Sequence, residues 1–321
     1  MQSPASLLIL KPSSLGDVVH TLPAVAALRR QWPHTLFRWM VNPEWAPLLE
    51  GNPCIDEILL FPRGQFRGPL GPLRALAWAR TLKTFRSELV LDFQGLLRSA
   101  LVSRLCRARR VAGLSDAREG ARFFYDHVVD VSSHAHAVDR YLALARAVGA
   151  STDTPPDWPL PNGDPVPDIP QDFILLHPFS RGTGKSLSAH EVENLCHALA
   201  PLRILIAGRS SETLRLPSHA TNLLNQTSLP QLIWLLRRAA FVFSVDSGPM
   251  HIAAALGTPL LSLHTWSDPH KVGPYNPDAW IWQNQRLFQQ GTPAGSQPAN
   301  AQDIAQFIRS KASPRPRTVG P

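Results

Sequence analysis

Cysteine and long apolar runs are both scarce in this chain. Only Cys54, Cys106 and Cys196 occur among 321 residues, and no Cys-x-x-Cys spacing is present. A disulfide framework or a zinc site is therefore not expected, and a reducing cytoplasm fits best. No run of 18 apolar residues occurs, so we expect no membrane-spanning helix. The N-terminus enters a strand-like segment almost directly, without the cationic stretch and cleavage site of a signal peptide.

Composition and charge describe an ordinary globular chain with one basic half. Hydrophobic residues make up 44% and charged residues 17%, and the length suits two domains. Residues 1–150 hold 19 Lys and Arg against 12 Asp and Glu, whereas residues 151–321 hold 13 against 12. We therefore expect the first half to face an anionic partner: nucleic acid, a membrane surface or a phosphorylated molecule. Charge that serves only solubility remains the alternative.

Strand-like and helix-like segments alternate along both halves, which predicts βαβ units and parallel sheets. The predicted strands are residues 7–10, 37–41, 57–61, 88–93, 110–113, 173–177, 203–208, 241–246 and 259–264. The predicted helices are residues 17–31, 70–86, 95–108, 136–149, 188–200, a helix near 211, 228–239, 249–257 and 300–312, with a short helical candidate at 44–51. The predicted fold class is α/β, with two doubly wound, Rossmann-like domains in tandem.

A proline-rich segment separates the two halves. Residues 154–170 carry seven prolines, too many for a helix or an inner strand, and we interpret the segment as a linker. The expected domains are then residues 1–153 and 171–312, followed by a disordered tail at 313–321.

Ligands of such sheets bind at the carboxyl ends of the strands, where loops meet helix N-termini. The first such loop, SSLGD (13–17), has Gly16 in a tight turn and Asp17 at the first helical turn. An acid there interacts well with the helix dipole. It could equally accept a proton from a substrate hydroxyl, while the Ser-Ser-Leu-Gly backbone binds an anion. Both interpretations stay open on the residues alone.

A second loop, HPFSRGTGKS (177–186), comes close to a nucleotide-triphosphate loop. Gly184, Lys185 and Ser186 match the pattern GxxxxGK[ST], but Phe179 stands where the first glycine is required. A true NTPase loop is therefore not favoured. Ser180, the glycine amides and Lys185 could still hold a diphosphate, and a flexible turn without a ligand is the alternative.

Two further strand ends carry acids. Glu212 follows RILIAG at the start of the helix predicted near 211, where an acid often binds ribose hydroxyls. Asp246 ends FVFSVD, Ser247 and Gly248 make the turn, and His251 lies on the first turn of the next helix. The amides of that helix N-terminus offer a phosphate site. No GxSxG elbow accompanies the Asp and His, which argues against a hydrolase.

Three histidines of the first half, His127, His134 and His136, could suggest a metal. No nearby acid completes a familiar ligand spacing, so ordinary surface or core histidines are the better interpretation.

With these segments in hand, the chain resembles the ADP-heptose:lipopolysaccharide heptosyltransferases, most of all those of type I, over nearly its whole length. The resemblance rests on KPSSLGDVVHTLPA (11–24), LDFQGLLRSALVSRL (91–105), REGARFFYDH (118–127), HAVDRYL (136–142) and SVDSGPMHIAAALGTP (244–259). It implies a GT-B glycosyltransferase with an interdomain cleft, an ADP-heptose donor on the C-terminal domain and a Kdo–lipid A acceptor on the N-terminal domain. It further implies inversion at the anomeric carbon, no metal or other cofactor, no nucleic acid, and peripheral contact with the anionic cytoplasmic face of the inner membrane.

The resemblance also implies roles for single residues. Asp17 would be the general base. The donor set would be Ser180, Lys185, Glu212, Asp246, Ser247, Gly248 and His251. The acceptor set would be Ser14, Gly16, Arg63, Arg118, His136 and Arg140. The segment HTWSDPHKVGPYNP (264–277) departs from the family, which commonly has a Gly-Pro-Thr-like turn there.

Three alternatives remain. One is a heptosyltransferase of type II, or a relative that adds heptose to another glycan. The second is a P-loop kinase or NTPase. The third is a non-enzymatic nucleotide- or nucleic-acid-binding protein, because Arg104, Arg107, Arg109 and Arg110 form a basic cluster. That cluster lacks interleaved aromatics and would equally suit a helix lying on a membrane.

Overall fold

The computed structural model of the chain describes residues 3–182, 184–290, 295–296 and 301–312. The chain divides into two compact units, unit 1 at Met1–Pro161 and unit 2 at Asn162–Pro321. The division falls inside the proline-rich segment 154–170, in which no helix or strand forms. The domain limits at 153 and 171 stay predictions, and the tail predicted at 313–321 lies outside the described residues.

Unit 1 is built on a six-stranded parallel sheet with the order β3-β2-β1-β4-β5-β6. The strands are β1 Ser6–Leu10, β2 Leu36–Val41, β3 Glu57–Leu60, β4 Leu89–Asp92, β5 Arg110–Leu114 and β6 His127–Val129. The α-helices are α1 Leu15–Gln31, α2 Gly71–Leu82, α3 Leu97–Leu105 and α4 Ala137–Ala147, with 3-10 helices at Pro43–Leu48, Arg63–Phe66 and Ala121–Phe124.

Helices cover both faces of this sheet. Helix α1 is apolar over most of its length and packs against α4. Right-handed crossovers place α2 and α3 on the opposite face. There Leu82 of α2 and Val102 of α3 join Leu8, Leu10 and Val90 of the strands in one core cluster. Because both faces are covered, the strands are nearly continuously apolar, as parallel strands usually are.

Unit 2 carries an eight-stranded sheet with the order β14-β13-β12-β11-β10-β7-β8-β9. Its strands are β7 Ile174–His177, β8 Ile204–Gly208, β9 Ala220–Leu224, β10 Phe241–Val245, β11 Leu260–His264, β12 Trp280–Gln283, β13 Arg286–Gln289 and β14 Gly295–Ser296. Pairing is parallel from β9 across to β12, and β13 and β14 add antiparallel pairs at one edge. The helices are α5 Ala189–Ala198, α6 Leu229–Arg238, α7 Gly248–Ala255, α8 Pro269–Val272 and α9 Ala301–Lys311.

The nine predicted strands are all confirmed, and the two doubly wound α/β units agree with the predicted fold class. The helix predicted near residue 211 is wrong. Residues 209–217 form neither helix nor strand, and Leu214 and Leu216 pack against the core of unit 2 instead. Eleven residues separate β8 from β9, with Pro217 near the end of the connection, so the crossover is made by extended chain.

The three cysteines are buried free thiols. Across the described part of the chain, no helix combines the length and apolar character that crossing a bilayer requires. The same residues contain no group of three or more His, Cys, Asp or Glu side chains arranged to hold a metal ion.

Candidate active site

Asp17 lies at the first turn of α1, directly beyond the carboxyl end of β1. Its Oδ2 accepts hydrogen bonds from the backbone N–H of Ser14 at 2.9 Å and from the Ser14 hydroxyl at 2.8 Å. Ser14 is the N-cap of the helix, and Gly16 is buried in the first turn. Oδ2 of Asp17 thus serves the start of the helix, in agreement with the structural interpretation of an acid at this position. The other oxygen, Oδ1, lies 3.9 Å from the Lys11 Nζ.

Lys11 is the first residue after β1 and was not among the predicted site residues. It is buried, and its Nζ donates to the Phe93 carbonyl and to the Tyr141 hydroxyl, each at 2.7 Å. Burial alone would lower the pKa of Lys11, but Tyr141 and Asp17 outweigh it and hold the pKa above its ordinary value. A fixed positive charge therefore stands beside Asp17. Its position at a strand end was the signal that could have identified it.

A cavity of about 310 Å³ opens at this edge of the sheet in unit 1. Lys11 and Asp17 line it together with Arg118 and Arg140 of the predicted acceptor set. Arg140 pairs with Asp116, and its Nε is buried without a hydrogen-bond partner among the described residues. The cavity is thus lined by three carboxylates, Asp17, Asp92 and Asp116, and by three cationic side chains, Lys11, Arg118 and Arg140. Guanidinium groups such as those of Arg118 and Arg140 suit the binding of carboxylates and phosphates.

Asp92, at the end of β4, forms the floor of the same cavity. Its carboxylate accepts from the backbone N–H groups of Gln94 and Gly95 and from the hydroxyls of Ser99 and Tyr125, at 2.8 to 3.1 Å. Complete burial raises the pKa of Asp92 despite these four donors. The residue therefore holds the loop after β4 in place. Sequence reasoning missed it, although it too stands at a strand end.

Two predicted acceptor residues lie elsewhere. Arg63 lines a neighbouring crevice with Arg98, and Gln94 lines both the crevice and the cavity. His136 is buried as the N-cap of α4, where its Nδ1 accepts from the Val138 N–H at 3.2 Å. The structure thus gives His136 a helix-capping contact, and its acceptor role stays a prediction.

In unit 2, the loop between β7 and α5 brings Lys185 to Asp246. The Lys185 Nζ lies 2.6 Å from Oδ2 of Asp246, and the Ser180 hydroxyl donates to the Asp246 carbonyl at 3.3 Å. Phe179 is buried in the core of the unit and anchors the loop. A nucleotide-triphosphate loop would lead directly from its Lys-Ser pair into a helix. Here α5 begins only at Ala189, which argues against the NTPase alternative.

Asp246 is ionised in this cluster. Burial by itself would raise the pKa of Asp246, but the hydrogen bond from Lys185 and the nearby His264, Ser267 and His251 hold it below the ordinary value. His251 is buried on the first turn of α7, as predicted. The structure therefore brings together Ser180, Lys185, Asp246 and His251, four of the predicted donor residues.

Ser247 is the N-cap of α7, and Gly248 is its first residue, so the helix amides open at this edge. The Ser247 hydroxyl lies 3.2 Å from Nδ1 of His177, which ends β7. Burial lowers the pKa of His177 to about 4. Gly208 faces this ring with a φ of +131°, and a Cβ there would lie 3.0 Å from the His177 Nε2. The last residue of β8 must therefore be glycine.

The segment that departs from the family contributes His264 and Trp266. His264 ends β11; its Nδ1 lies 2.9 Å from the Ser267 hydroxyl, and its Nε2 is buried without a hydrogen-bond partner among the described residues. Burial lowers the pKa of His264 to about 4. Trp266 is 67% exposed and lies beneath Lys185, whose Nζ is 4.6 Å from the ring centroid. Neither residue was predicted as a site residue.

Glu212 lies in the extended connection after β8, not at a helix start, which corrects the predicted setting. Its backbone N–H donates to the Ser210 hydroxyl at 3.1 Å, and its side chain is exposed. A ribose-binding role for Glu212 stays a prediction.

Two Rossmann-like units in tandem, each with charged side chains at the carboxyl edge of its sheet, give the chain the GT-B fold of glycosyltransferases. Solved structures agree with this fold. E. coli heptosyltransferase WaaC with ADP aligns with a TM-score of 0.77 at 24% identity, covering 95% of this chain and 99% of that one. E. coli ADP-heptose lps heptosyltransferase II aligns with a TM-score of 0.74 at 20% identity, covering 96% and 98%.

The chain belongs to glycosyltransferase family 9 (heptosyltransferase), whose sequence pattern matches residues 75–171 and 204–293. Lipopolysaccharide heptosyltransferase 1 of Pseudomonas aeruginosa is 33% identical, covering 84% of this chain and 81% of its own. Lipopolysaccharide core heptosyltransferase OpsX of Haemophilus influenzae is 28% identical, covering 86% and 83%. The resemblance seen in the sequence and the assignment as a glycosyltransferase enzyme are both confirmed.

Proposed function

We propose that this enzyme transfers heptose from ADP-L-glycero-D-manno-heptose to a Kdo residue of the lipopolysaccharide inner core, with inversion and without a metal ion. The observation that carries the proposal is Asp17, held at a helix start beside the buried Lys11 in a cavity that Arg118 and Arg140 also line. The names of the related heptosyltransferases 1 and OpsX support the lipopolysaccharide core as acceptor. A solved relative carries ADP-2-deoxy-2-fluoro heptose, which supports the donor.

In the proposed reaction, Asp17 acts as the general base. One carboxylate oxygen takes the proton of the acceptor hydroxyl while the hydroxyl oxygen forms a bond to the anomeric carbon of heptose. The bond from that carbon to the diphosphate oxygen breaks on the opposite face, so the electron pair leaves with ADP and the configuration inverts. General-base assistance of this kind contributes roughly 10²–10⁴-fold to a rate.

On the acceptor side, the guanidinium groups of Arg118 and Arg140 would bind the carboxylates of Kdo and the phosphates of lipid A. Lys11 is held by Phe93 and Tyr141 and would keep a positive charge at the same edge. These cations would orient the acceptor hydroxyl toward Asp17.

On the donor side, Lys185 and the amides of Ser247 and Gly248 would bind the diphosphate. Asp246 would accept hydrogen bonds from heptose hydroxyls. Because Lys185 pairs with Asp246 at 2.6 Å without substrate, its ammonium group must turn toward the diphosphate when the donor binds. The leaving group would then be stabilised by a cation and by helix amides, so the proposal needs no metal ion and no other cofactor.

We propose that the enzyme acts at the cytoplasmic face of the inner membrane, where the lipid-linked acceptor lies in an anionic membrane surface. No role for nucleic acid is proposed. Within the basic cluster suggested for nucleic acid, Arg104 pairs with Asp126 at 3.1 Å and Arg109 with Glu88 at 3.4 Å, which neutralises part of the cluster.

The test is ADP release from ADP-heptose with a Kdo–lipid A acceptor, in the presence and absence of EDTA. We expect acceptor-dependent release that survives EDTA and falls by about 10²–10⁴-fold in Asp17→Asn. Asp139→Asn is the matched control, because Asp139 is exposed at the corresponding first turn of α4. ADP affinity should be unchanged in both variants.

Four outcomes would contradict the proposal. Full activity of Asp17→Asn would show that Asp17 is not the general base. Loss of activity in EDTA that a divalent cation restores would show that the reaction requires a metal ion. Turnover only with an acceptor that already carries heptose would favour the type II alternative, and ATP consumption without acceptor would restore the P-loop alternative.

A further inference from the structure

One outer face of unit 1 is unusually apolar for an exposed surface. Helices α2 and α3 and the 3-10 helix Ala121–Phe124 lie on the same side of the sheet, and their outward side chains include large apolar residues. We call the set the α2–α3 face; its members are Leu70, Leu73, Leu76, Leu97, Leu101 and Phe123. Leu73 is 65% exposed and Phe123 is 79% exposed. Helix α2 buries little more than Gly71 and Leu82 fully, whereas α1 on the other side is buried over most of its length.

The charge around this face is predominantly positive. Between Glu57 and Glu88 the chain carries six Lys and Arg residues and no acid: Arg63, Arg67, Arg74, Arg80, Lys83 and Arg86. Helix α3 adds Arg98 and Arg104 and also contains no acid. The acids that adjoin α3 are engaged, since Asp126 pairs with Arg104 and Glu119 accepts from the Leu97 N–H. Exposed leucines therefore stand among cations that no acid of α2 or α3 balances.

We propose that the α2–α3 face is the surface by which unit 1 binds an anionic lipid bilayer. Leucine and phenylalanine side chains on a surface helix enter the boundary between headgroups and acyl chains, while flanking Lys and Arg bind the anionic headgroups. Another protein could cover the apolar residues, but the predominantly positive border complements an anionic layer of lipid headgroups. That this bilayer also contains the acceptor lipid rests on the proposed function.

The face adjoins the proposed acceptor site within unit 1. Arg63, at the start of the segment that leads into α2, and Arg98, on α3, line the crevice next to the Asp17 cavity. Gln94 lines both the crevice and the cavity. A glycolipid with its acyl chains in the bilayer at the α2–α3 face could thus extend its headgroup past Arg63 and Arg98 toward Asp17. Membrane binding and acceptor presentation use neighbouring residues of one unit.

The test is sedimentation of the full-length enzyme with vesicles that contain neither donor nor acceptor. Vesicles of phosphatidylglycerol and phosphatidylcholine in equal parts are compared with vesicles of phosphatidylcholine alone. We expect binding to the anionic vesicles that weakens with salt. Leu73→Ser/Leu76→Ser should reduce that binding by about tenfold or more, because two apolar side chains no longer enter the bilayer. Val128→Ser, an exposed apolar position on the edge strand β6, is the control.

A charge-reversal pair tests the electrostatic part. Arg74→Glu/Arg80→Glu should lose binding to anionic vesicles by at least tenfold. Arg203→Glu/Arg215→Glu, two exposed arginines of unit 2, should bind as the wild type does. Equal losses in both pairs would mean that net charge alone drives binding, which overturns the proposal.

Turnover of a deacylated Kdo acceptor separates this proposal from the proposed function. The leucine and arginine variants should turn over that soluble acceptor at the wild-type rate and lose activity only on vesicle-embedded acceptor. If the wild type turns over soluble acceptor but does not bind vesicles, the membrane face is refuted and the function stands. If the wild type binds vesicles but transfers no heptose, the membrane face stands and the proposed function is refuted. A wild-type dimer that the leucine variants convert to monomer, without any vesicle binding, would assign the face to self-association.

Discussion

Each unit places a lysine against an aspartate at the carboxyl edge of its sheet, but burial is reversed between the two pairs. In unit 1 the lysine is the buried partner: the Lys11 side chain is 4% exposed and that of Asp17 is 39% exposed. In unit 2 the Lys185 side chain is 19% exposed and that of Asp246 is 9% exposed. The N···O distances are 3.9 Å and 2.6 Å, respectively.

The buried partner in each pair is the residue that directly follows a strand, Lys11 after β1 and Asp246 after β10. The exposed partner comes from a helix start or a loop and can reach a substrate. Unit 1 therefore presents a carboxylate beside a fixed cation, which suits proton removal. Unit 2 presents an ammonium group beside a fixed carboxylate, which suits a diphosphate. In the proposed reaction the same two residue types would serve different chemistry, because a different one of them is buried in each unit.

Of the two lysines, the more exposed Lys185 should give the larger effect on turnover when it is removed. Lys185→Ala should lower kcat/KM by about 10²–10³-fold, since the developing charge on the diphosphate loses a donor. Steady-state kinetics and ADP affinity measure this. Lys311→Ala, at an exposed position of the same unit, should leave both unchanged. Wild-type ADP affinity in Lys185→Ala would show that the lysine serves only its pair with Asp246.

Removal of the fixed cation should act mainly on stability. Lys11→Met leaves the Tyr141 hydroxyl and the Phe93 carbonyl without their buried donor, and we expect a loss of about 2–4 kcal/mol in the free energy of unfolding. Chemical denaturation measures it. Lys83→Met, an exposed lysine of unit 1, should change little. If Lys11→Met were as stable as the wild type, the buried network would not be the stabilising element assigned here.

Acid should act with opposite sign on the buried histidines of unit 2 and on the buried Asp92 of unit 1. The pKa of His177 and of His264 lies at about 4 in the folded chain, below the ordinary 6.5. Between those values the unfolded chain binds protons that the folded chain does not, so lowering the pH through this window lowers the free energy of unfolding. For buried His177 the loss reaches about 3 kcal/mol. Denaturation at pH 7 and pH 4.5 measures it, and His177→Gln should flatten the dependence. A wild-type slope in that variant would contradict the assignment.

Asp92 of unit 1 gives the smallest and opposite effect. The pKa of Asp92 is raised in the folded chain, so the folded state binds more protons than the unfolded state between the ordinary pKa of 3.8 and the folded pKa. Acidification through this range therefore raises the free energy of unfolding. Tyr125→Phe removes one donor to the carboxylate and should cost about 1–2 kcal/mol at pH 7, a deficit that becomes smaller as the pH falls and Asp92 is protonated. In an Asp92→Asn background the pH dependence of the deficit should vanish. If the loss of stability in Tyr125→Phe did not change with pH, Tyr125 would stabilise the fold by packing alone and not through its hydrogen bond to Asp92.

Sequence patterns were most informative where a strand leads into a helix. Asp17, Lys185 and Asp246 were identified because a loop at a strand end combined turn residues with a charge. Lys11, Asp92, His177 and His264 are the last residue of a strand or the first residue after it, and each is also compatible with an ordinary strand terminus. The connection after β8 was predicted as a helix because strands and helices alternate along the chain. The core contacts of Leu214 and Leu216 decide otherwise.

By itself the sequence determined the alternation of strands and helices, the two-unit fold class and the family, because these depend on apolar periodicity and on motifs contiguous in the chain. Only the tertiary structure decided which charges meet. Tyr141 reaches Lys11 across 130 residues, and Lys185 reaches Asp246 across 61. Such contacts depend on the order of strands in a sheet and on which side chain is buried, and both are set by packing between segments that local patterns do not relate.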